Sequence, residues 1–394
     1  MIVVSAIAFV SKMVIAATMR GPADVRFFNA FARAIEQVGP LHVYGHPMPR
    51  LPVYNHPPLA SWMLLAMDGL EDIGLPFDVL IRTPACIADF VSALLIFAIV
   101  RRRRSIRTAM ACAMGCALSP VLVSTSGYHG NTDSVAIMLA VAAAYQLVDR
   151  RRPLAAGVLA ALSISVKLIP IVAIPALLVA AARAGRPAAV RFCAGLGAVL
   201  LALWTPVLAV VPGPLTEKVL GYEGGRARLW GFVRFADFFG ASDEFIAFVH
   251  SDAHFVFVLL CMAAGAWLAW RRPAHAPYAV ALSTTLLLLL STASAVQYLA
   301  WPVVGLFLFG LWEGVAFSVV VGIVTVDVYA GDSAVRWSDL ALSLAAVGWL
   351  LLAIGIASGV RRVLAAPPDP VPDPPRPLVP QPAQERSAPA STVN

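Results

Sequence analysis

Clusters of arginine cut an otherwise apolar chain into lengths that suit a lipid bilayer. They fall at Arg101 to Arg104, Arg150 to Arg152, Arg183 with Arg186 and Arg191, Arg271 with Arg272, and Arg361 with Arg362. Of the 394 residues, 60% are hydrophobic and 13% charged, which is more apolar surface than one soluble core can hide. A backbone in lipid must satisfy its own polar groups, so the expected fold is all-α, a polytopic transmembrane helical protein. Short basic loops stay in the cytoplasm. Placing every arginine cluster there lets the spans alternate without conflict. The net charge of +7 belongs largely to those clusters and is no nucleic-acid footprint.

About 12 spans are expected, near 2–19, 83–100, 106–125, 133–148, 154–166, 169–182, 190–211, 253–270, 277–292, 300–312, 314–329 and 338–360. Several fall short of the roughly 20 residues of a straight crossing. Two of them, 154–166 and 169–182, meet at Lys167 and read as short helices lining a cavity, where broken backbone is tolerated. The stretch 58–72 is expected as a helix lying on the outer face. No basic n-region precedes the first apolar run, so it reads as an uncleaved first helix. Cys86, Cys112, Cys116, Cys193 and Cys261 all lie in apolar stretches and read as small buried hydrophobes.

This arrangement places the membrane domain at 1–365 and leaves one long extracytoplasmic loop, 20–82, followed by shorter ones. The loop opens with DVRFFNAFARAIEQ, whose apolar residues recur at helical spacing and should lie along the interface. Its middle, HPMPRLPVYNHPP, is extended by proline. The fourth outer loop, 212–252, carries GYEGGRARLWGFVRF. The proline-rich segment 366–394 is expected to be a disordered cytoplasmic tail.

Asp24 is the leading candidate for chemistry. A carboxylate just beyond the first span stands where water meets lipid, and it could serve as a base or as an N-cap for the helix that follows. Lys167 is a cation inside apolar sequence, a placement that costs about 2.5–3.5 kcal/mol on insertion scales unless a partner or function offsets it. It could bind phosphate or snorkel to the interface. Arg82 could bind phosphate on the outer face or anchor the helix at 83–100, and Arg226 and Arg228 could close over a lipid phosphate or be solvated. His129, Asn131 and Asp133 crowd one short loop, where they could bind sugar hydroxyls or cap the next helix. His56, Gln297 and Tyr298 are further contact candidates. Asp89, inside a span, reads as a structural tie to another helix.

The order of these pieces resembles the C-class glycosyltransferases. The chain carries an acid at the start of a long first loop, then Tyr54-Asn55-His56-Pro57-Pro58-Leu59, then Ser119-Pro120 and Gly127-Tyr128-His129-Gly130-Asn131-Thr132-Asp133. Ser294-Ala295-Val296-Gln297-Tyr298-Leu299-Ala300-Trp301 is similar to a stretch of the glycosylphosphatidylinositol-type mannosyltransferases, and Tyr222 with Arg228-Leu229-Trp230-Gly231 to a pattern in bacterial members. The resemblance implies a hexosyltransferase, with mannose the favoured sugar, that takes its donor from a polyprenyl phosphate. The acceptor would be a lipid or glycan at the outer leaflet of a bacterial plasma membrane. It implies Asp24 as general base in a single inverting displacement, Lys167, Arg82 and Arg228 at the donor phosphate, and His56, His129, Asn131, Asp133, Gln297 and Tyr298 at the substrate. Members that use a metal carry paired acids in the first loop. Asp24 stands between Ala23 and Val25, so neither metal nor cofactor is expected. A transporter or lipid flippase shares the polytopic body, but two matching halves with paired broken helices are not evident. A membrane scaffold leaves Lys167 and Asp89 without a reason.

Overall fold

The computed structural model describes residues 1–222, 224, 229–251, 253–330 and 337–367. It is helical throughout, with no strand among the described residues. The first helix, α1 (Ile2–Thr18), stops at Arg20-Gly21-Pro22, and the chain turns by 76° into α2 (Ala23–Val38). Gly21 makes that turn at φ +75°, a conformation that disfavours a side chain, and a Cβ there would collide with the guanidinium of Arg82. In α2, Val25, Phe28, Phe31, Ala32 and Ile35 are buried at helical spacing. They pack on α3 (Pro58–Asp72), which Pro57 and Pro58 start in the manner proline favours. These helices share a core with Tyr44, Tyr54, Val207, Leu215 and Val219. The 58–72 segment is thus a helix, as expected.

Next come α4 (Phe77–Val100), α5 (Ile106–Ala117) and a short α6 (Pro120–Leu122), which runs into a π-helical segment, Val123–His129. After α7 (Asp133–Ala144), α8 (Pro153–Val166) ends at Lys167. That residue is extended, at φ −150° and ψ 140°. A single 3-10 turn, Ile169–Ala173, leads on to α9 (Ile174–Arg183). α10 (Arg186–Val210) crosses α8 at close range. A Cβ on Gly157 would strike the backbone of Phe192, and one on Gly195 the backbone of Leu154, the small-residue packing expected between helices in lipid. The remainder is α11 (Pro212–Leu215), α12 (Gly231–Phe238), α13 (Asp243–Ser251), α14 (His254–Arg271), α15 (Ala276–Leu289), α16 (Trp301–Phe309), α17 (Leu311–Tyr329) and α18 (Asp339–Ala365).

Six of the helical segments are long and apolar enough to cross a membrane, and the bent pair α1–α2 would make a seventh. About twelve were expected. The difference lies in α7, α8, the segment through α9, and the segments holding α15 and α16, which are apolar but short. Such half-length helices pack inside the bundle. α15 and α16 bury most of their side chains, while α10 faces outward over most of its surface.

Four arginine clusters gather at one end. Arg103 reaches Asp149 at 3.1 Å and donates to the carbonyl of Ala274, Arg104 donates to that of Phe309, Arg272 to that of Leu364, and Arg362 pairs with Glu313. Arg82 lies near the other end of α4, a helix that rises ~36 Å over its 24 residues. Gly21, in the turn that leads to Asp24, packs against Arg82.

Candidate functional site

Pro22 sets the entry of α2, and Asp24 falls in its first turn, where the helix dipole favours a carboxylate. The N-cap position is Pro22, so Asp24 lies inside the helix and is not its cap. The side chain turns instead to His129, whose Nε2 lies 3.1 Å from Asp24 Oδ2. His129 is the last residue of the π-helical segment, and the widened turn sets its direction. Its Nδ1 is 2.8 Å from the hydroxyl of Tyr329, the last residue of α17. The imidazole side chain is 3% exposed, the Asp24 carboxylate 39%. Asp24 is therefore the member of this chain that faces outward. Burial pushes its carboxyl up. The hydrogen bond and electrostatic pull of the His129 N–H and the charge of Lys167 outweigh that and leave it below the usual carboxylate range.

Lys167 stands at the broken join after α8, with its Nζ 3.8 Å from Asp133 Oδ1. Asp133 is 1% exposed in its side chain, and its other oxygen accepts from Trp301 Nε1 at 2.6 Å. Asn131 accepts from the backbone N–H of Asp133 at 3.1 Å, and its amide lies 3.5 Å from the carbonyl of Gln297. The 127–133 loop thus serves as an internal brace. Asn131 and Asp133 point into the protein rather than into open space.

A cavity of about 200 Å³ opens beside Lys167. Asn55, Tyr222, Tyr298 and Trp301 give it polar and aromatic edges. Leu168, Ile169, Phe257 and Val258 give it an apolar side toward α14, which is itself largely exposed. Tyr298 lies against Trp301 with ring centroids 4.3 Å apart. Tyr222 bonds Asn55, and burial, with the Asp24 charge, pushes its hydroxyl up. Asp24, Lys167, Tyr222 and Tyr298 therefore share one electrostatic neighbourhood. Gln297 is half-buried and engages the site through its carbonyl.

Two expected contacts lie elsewhere. Arg82 is fully buried, and one of its amino groups donates to the carbonyls of Ala16 at 2.8 Å and Met19 at 2.7 Å. It closes the end of α1 and holds the turn that delivers Asp24, so direct contact with a donor phosphate gives way to a brace. His56 is buried between Phe28 and Tyr54 and does not face the cavity. Burial and the Lys167 charge push its imidazole well down, so it is neutral. Arg226 and Arg228 lie outside the described residues. Asp89 is tied to another helix, as expected, through Lys12 of α1 at 2.6 Å.

Three carboxylates come together away from this site. Glu36, Asp68 and Asp72 bring one oxygen each within 4.8 Å. Glu36 is twelve residues beyond Asp24 on the same helix, ~18 Å along its axis. Sequence reading missed this group because its members come from two helices. It also missed Tyr329, and it placed Trp301 in a family-like stretch without its contact to Asp133.

The helical architecture, with helices long and apolar enough to cross a membrane, and a family match over part of the chain point to a membrane glycosyltransferase. Residues 55–210 match the model of the dolichyl-phosphate-mannose-protein mannosyltransferase family, and this bears out the C-class resemblance read from the motifs. The match takes in His56, Arg82, His129, Asn131, Asp133 and Lys167, and stops short of Asp24, Tyr298 and Tyr329. No curated protein matches the chain.

Proposed function

We propose that this protein transfers a hexose, with mannose the favoured sugar, from a polyprenyl-phosphate donor to a hydroxyl of a lipid or glycan acceptor. The observation that carries the reading is that Asp24 and Lys167, from distant parts of the chain, lie within reach of each other's charge, with Lys167 lining the cavity. The acceptor hydroxyl gives its proton to the outward oxygen of Asp24. Its oxygen attacks the anomeric carbon, and the bond from that carbon to the phosphate oxygen breaks with its electron pair leaving on the phosphate. A single displacement of this kind inverts the anomeric centre. A positioned base contributes about 10²–10⁴ in rate.

Lys167 suits the leaving phosphate. It is a point charge whose three donors can follow the developing negative charge. Asp133 compensates the lysine when no donor is bound, and Tyr298 and Tyr222 are placed to meet the sugar. The apolar side of the cavity toward α14 suits the isoprenoid chain. The arginine clusters at the far end support a cytoplasmic placing of that end, and with it a site on the extracytoplasmic face. The broken helix at Lys167 also suits a transporter, but the family match is to an enzyme.

The test is to incubate the purified protein with radiolabelled polyprenyl-phosphate mannose and a panel of lipid and glycan acceptors. Transfer of label to an acceptor is expected. Movement of intact donor across vesicles without any transfer would turn the reading toward a flippase.

A further inference from the structure

We infer that Tyr329 and His129 form a positioning relay that fixes which imidazole nitrogen carries the proton facing Asp24. The inference rests on the proposed role of Asp24 as base, and it begins from the order of the three groups. Asp24 is an acceptor only when ionised, so His129 Nε2 at 3.1 Å must carry the hydrogen between them. A neutral imidazole then has its lone pair on Nδ1, where the Tyr329 hydroxyl stands at 2.8 Å as donor. Exposure decides which residue meets substrate. His129 is enclosed and Asp24 is not, so the histidine is the support and the carboxylate is the base. This reverses the exposure order expected where an aspartate orients a histidine base.

The relay occupies Oδ2 of Asp24 and leaves Oδ1 for the acceptor hydroxyl. It also keeps the carboxylate ionised at lower pH than an unsupported one. Without the tyrosine hydroxyl, His129 is free to place its proton on Nδ1, and its Nε2 lone pair would then face the carboxylate and repel it. The charged and titratable groups that face Asp24 are His129 from the π-helical segment, Lys167 from the join after α8, Tyr222 beyond α11, Tyr298 before α16 and Tyr329 from α17. Only His129 touches the carboxylate with a nitrogen whose protonation has two alternatives. Tyr128 packs beside Tyr329, with rings 5.2 Å apart.

The experiment compares wild type, Tyr329→Phe and Asp24→Asn as the full chain in nanodiscs. The pH profile of kcat/KM is read with radiolabelled polyprenyl-phosphate mannose and an acceptor identified by the panel. In Tyr329→Phe the acid limb should move up by about one pH unit, with kcat down roughly tenfold and donor KM little changed. Nitrogen NMR of histidine-labelled protein needs no turnover. It should show the Nε2–H form of His129 in wild type and a mixed population in Tyr329→Phe. An acid limb that stays in place, or an unaltered Nε2–H signal in the variant, overturns the relay. If Asp24→Asn is inactive while Tyr329→Phe matches wild type, the base stands and the relay falls. Near-normal turnover by Asp24→Asn removes both.

Discussion

Lys167 Nζ stands 3.8 Å from Asp133 Oδ1, close enough for charge pairing and too far for a hydrogen bond. The carboxylate is held from its other side by Trp301 at 2.6 Å and through its backbone by Asn131. The lysine is thus compensated in charge while its donors stay available to the cavity. A phosphate entering there meets a cation already in place and can compete with Asp133 for it.

Replacing the lysine should therefore separate binding from stability. Lys167→Met leaves Asp133 buried without its partner charge, which destabilises the protein and weakens donor binding together. The double variant with Asp133→Asn restores neutrality and keeps an oxygen for Trp301. Its melting temperature should recover while donor KM stays raised by tenfold or more. Recovery of donor affinity in the double variant would show that Lys167 only balances Asp133.

Asp24→Asn preserves shape and removes the proton acceptor. The expected result is a protein with wild-type melting behaviour and kcat/KM lower by about a hundredfold or more. Turnover close to wild type would transfer the role of base to another group.

The path from sequence to site was partly legible. Apolar runs and the break at Lys167 follow from hydropathy. The partner of each charge was not legible. His129 reads as a loop histidine until the fold brings it to Asp24, and Tyr329, 200 residues further on, reads as an aromatic at the end of a span. The direction of Arg82 was hidden for a related reason. A cation at a helix start can face solvent, a ligand or a neighbouring helix end, and only packing settles that it faces α1. The number of full crossings was not legible either, because residue count per apolar run does not separate a span from a half-length helix inside the bundle.

The Lys12–Asp89 pair is a separate stability element. Both side chains are buried, and Ser126 and Ser134 add hydrogen bonds to the carboxylate. Lys12→Met or Asp89→Leu alone leaves a buried charge and should cost about 3–5 kcal/mol. The two together should cost much less than their sum. Additive losses in a denaturation cycle would show that the residues stabilise independently.

Chelation should leave turnover unchanged. Among the described residues the one group of three acids that could hold an ion is Glu36, Asp68 and Asp72, far along α2 from Asp24. A metal bound there would not touch the reacting atoms. Assay in excess EDTA checks this, and loss of activity that Mn²⁺ restores would place a metal in the mechanism.

Acidification should expose His56. In the folded protein burial and the Lys167 charge hold its imidazole well below the ordinary histidine value, whereas the unfolded chain titrates near about 6.5. Between those two values the unfolded chain binds the proton that the folded one refuses. Stability therefore rises with pH through this window and levels off above about 6.5. Below it, the cost of keeping His56 neutral accumulates. The imidazole packs against Phe28 and Tyr54, so His56→Phe keeps the ring contacts while removing the titration. Melting temperatures measured from pH 7.5 down to about 5 should fall for wild type and fall less steeply for His56→Phe. Parallel slopes for the two proteins would show that another group, and not His56, sets the acid sensitivity.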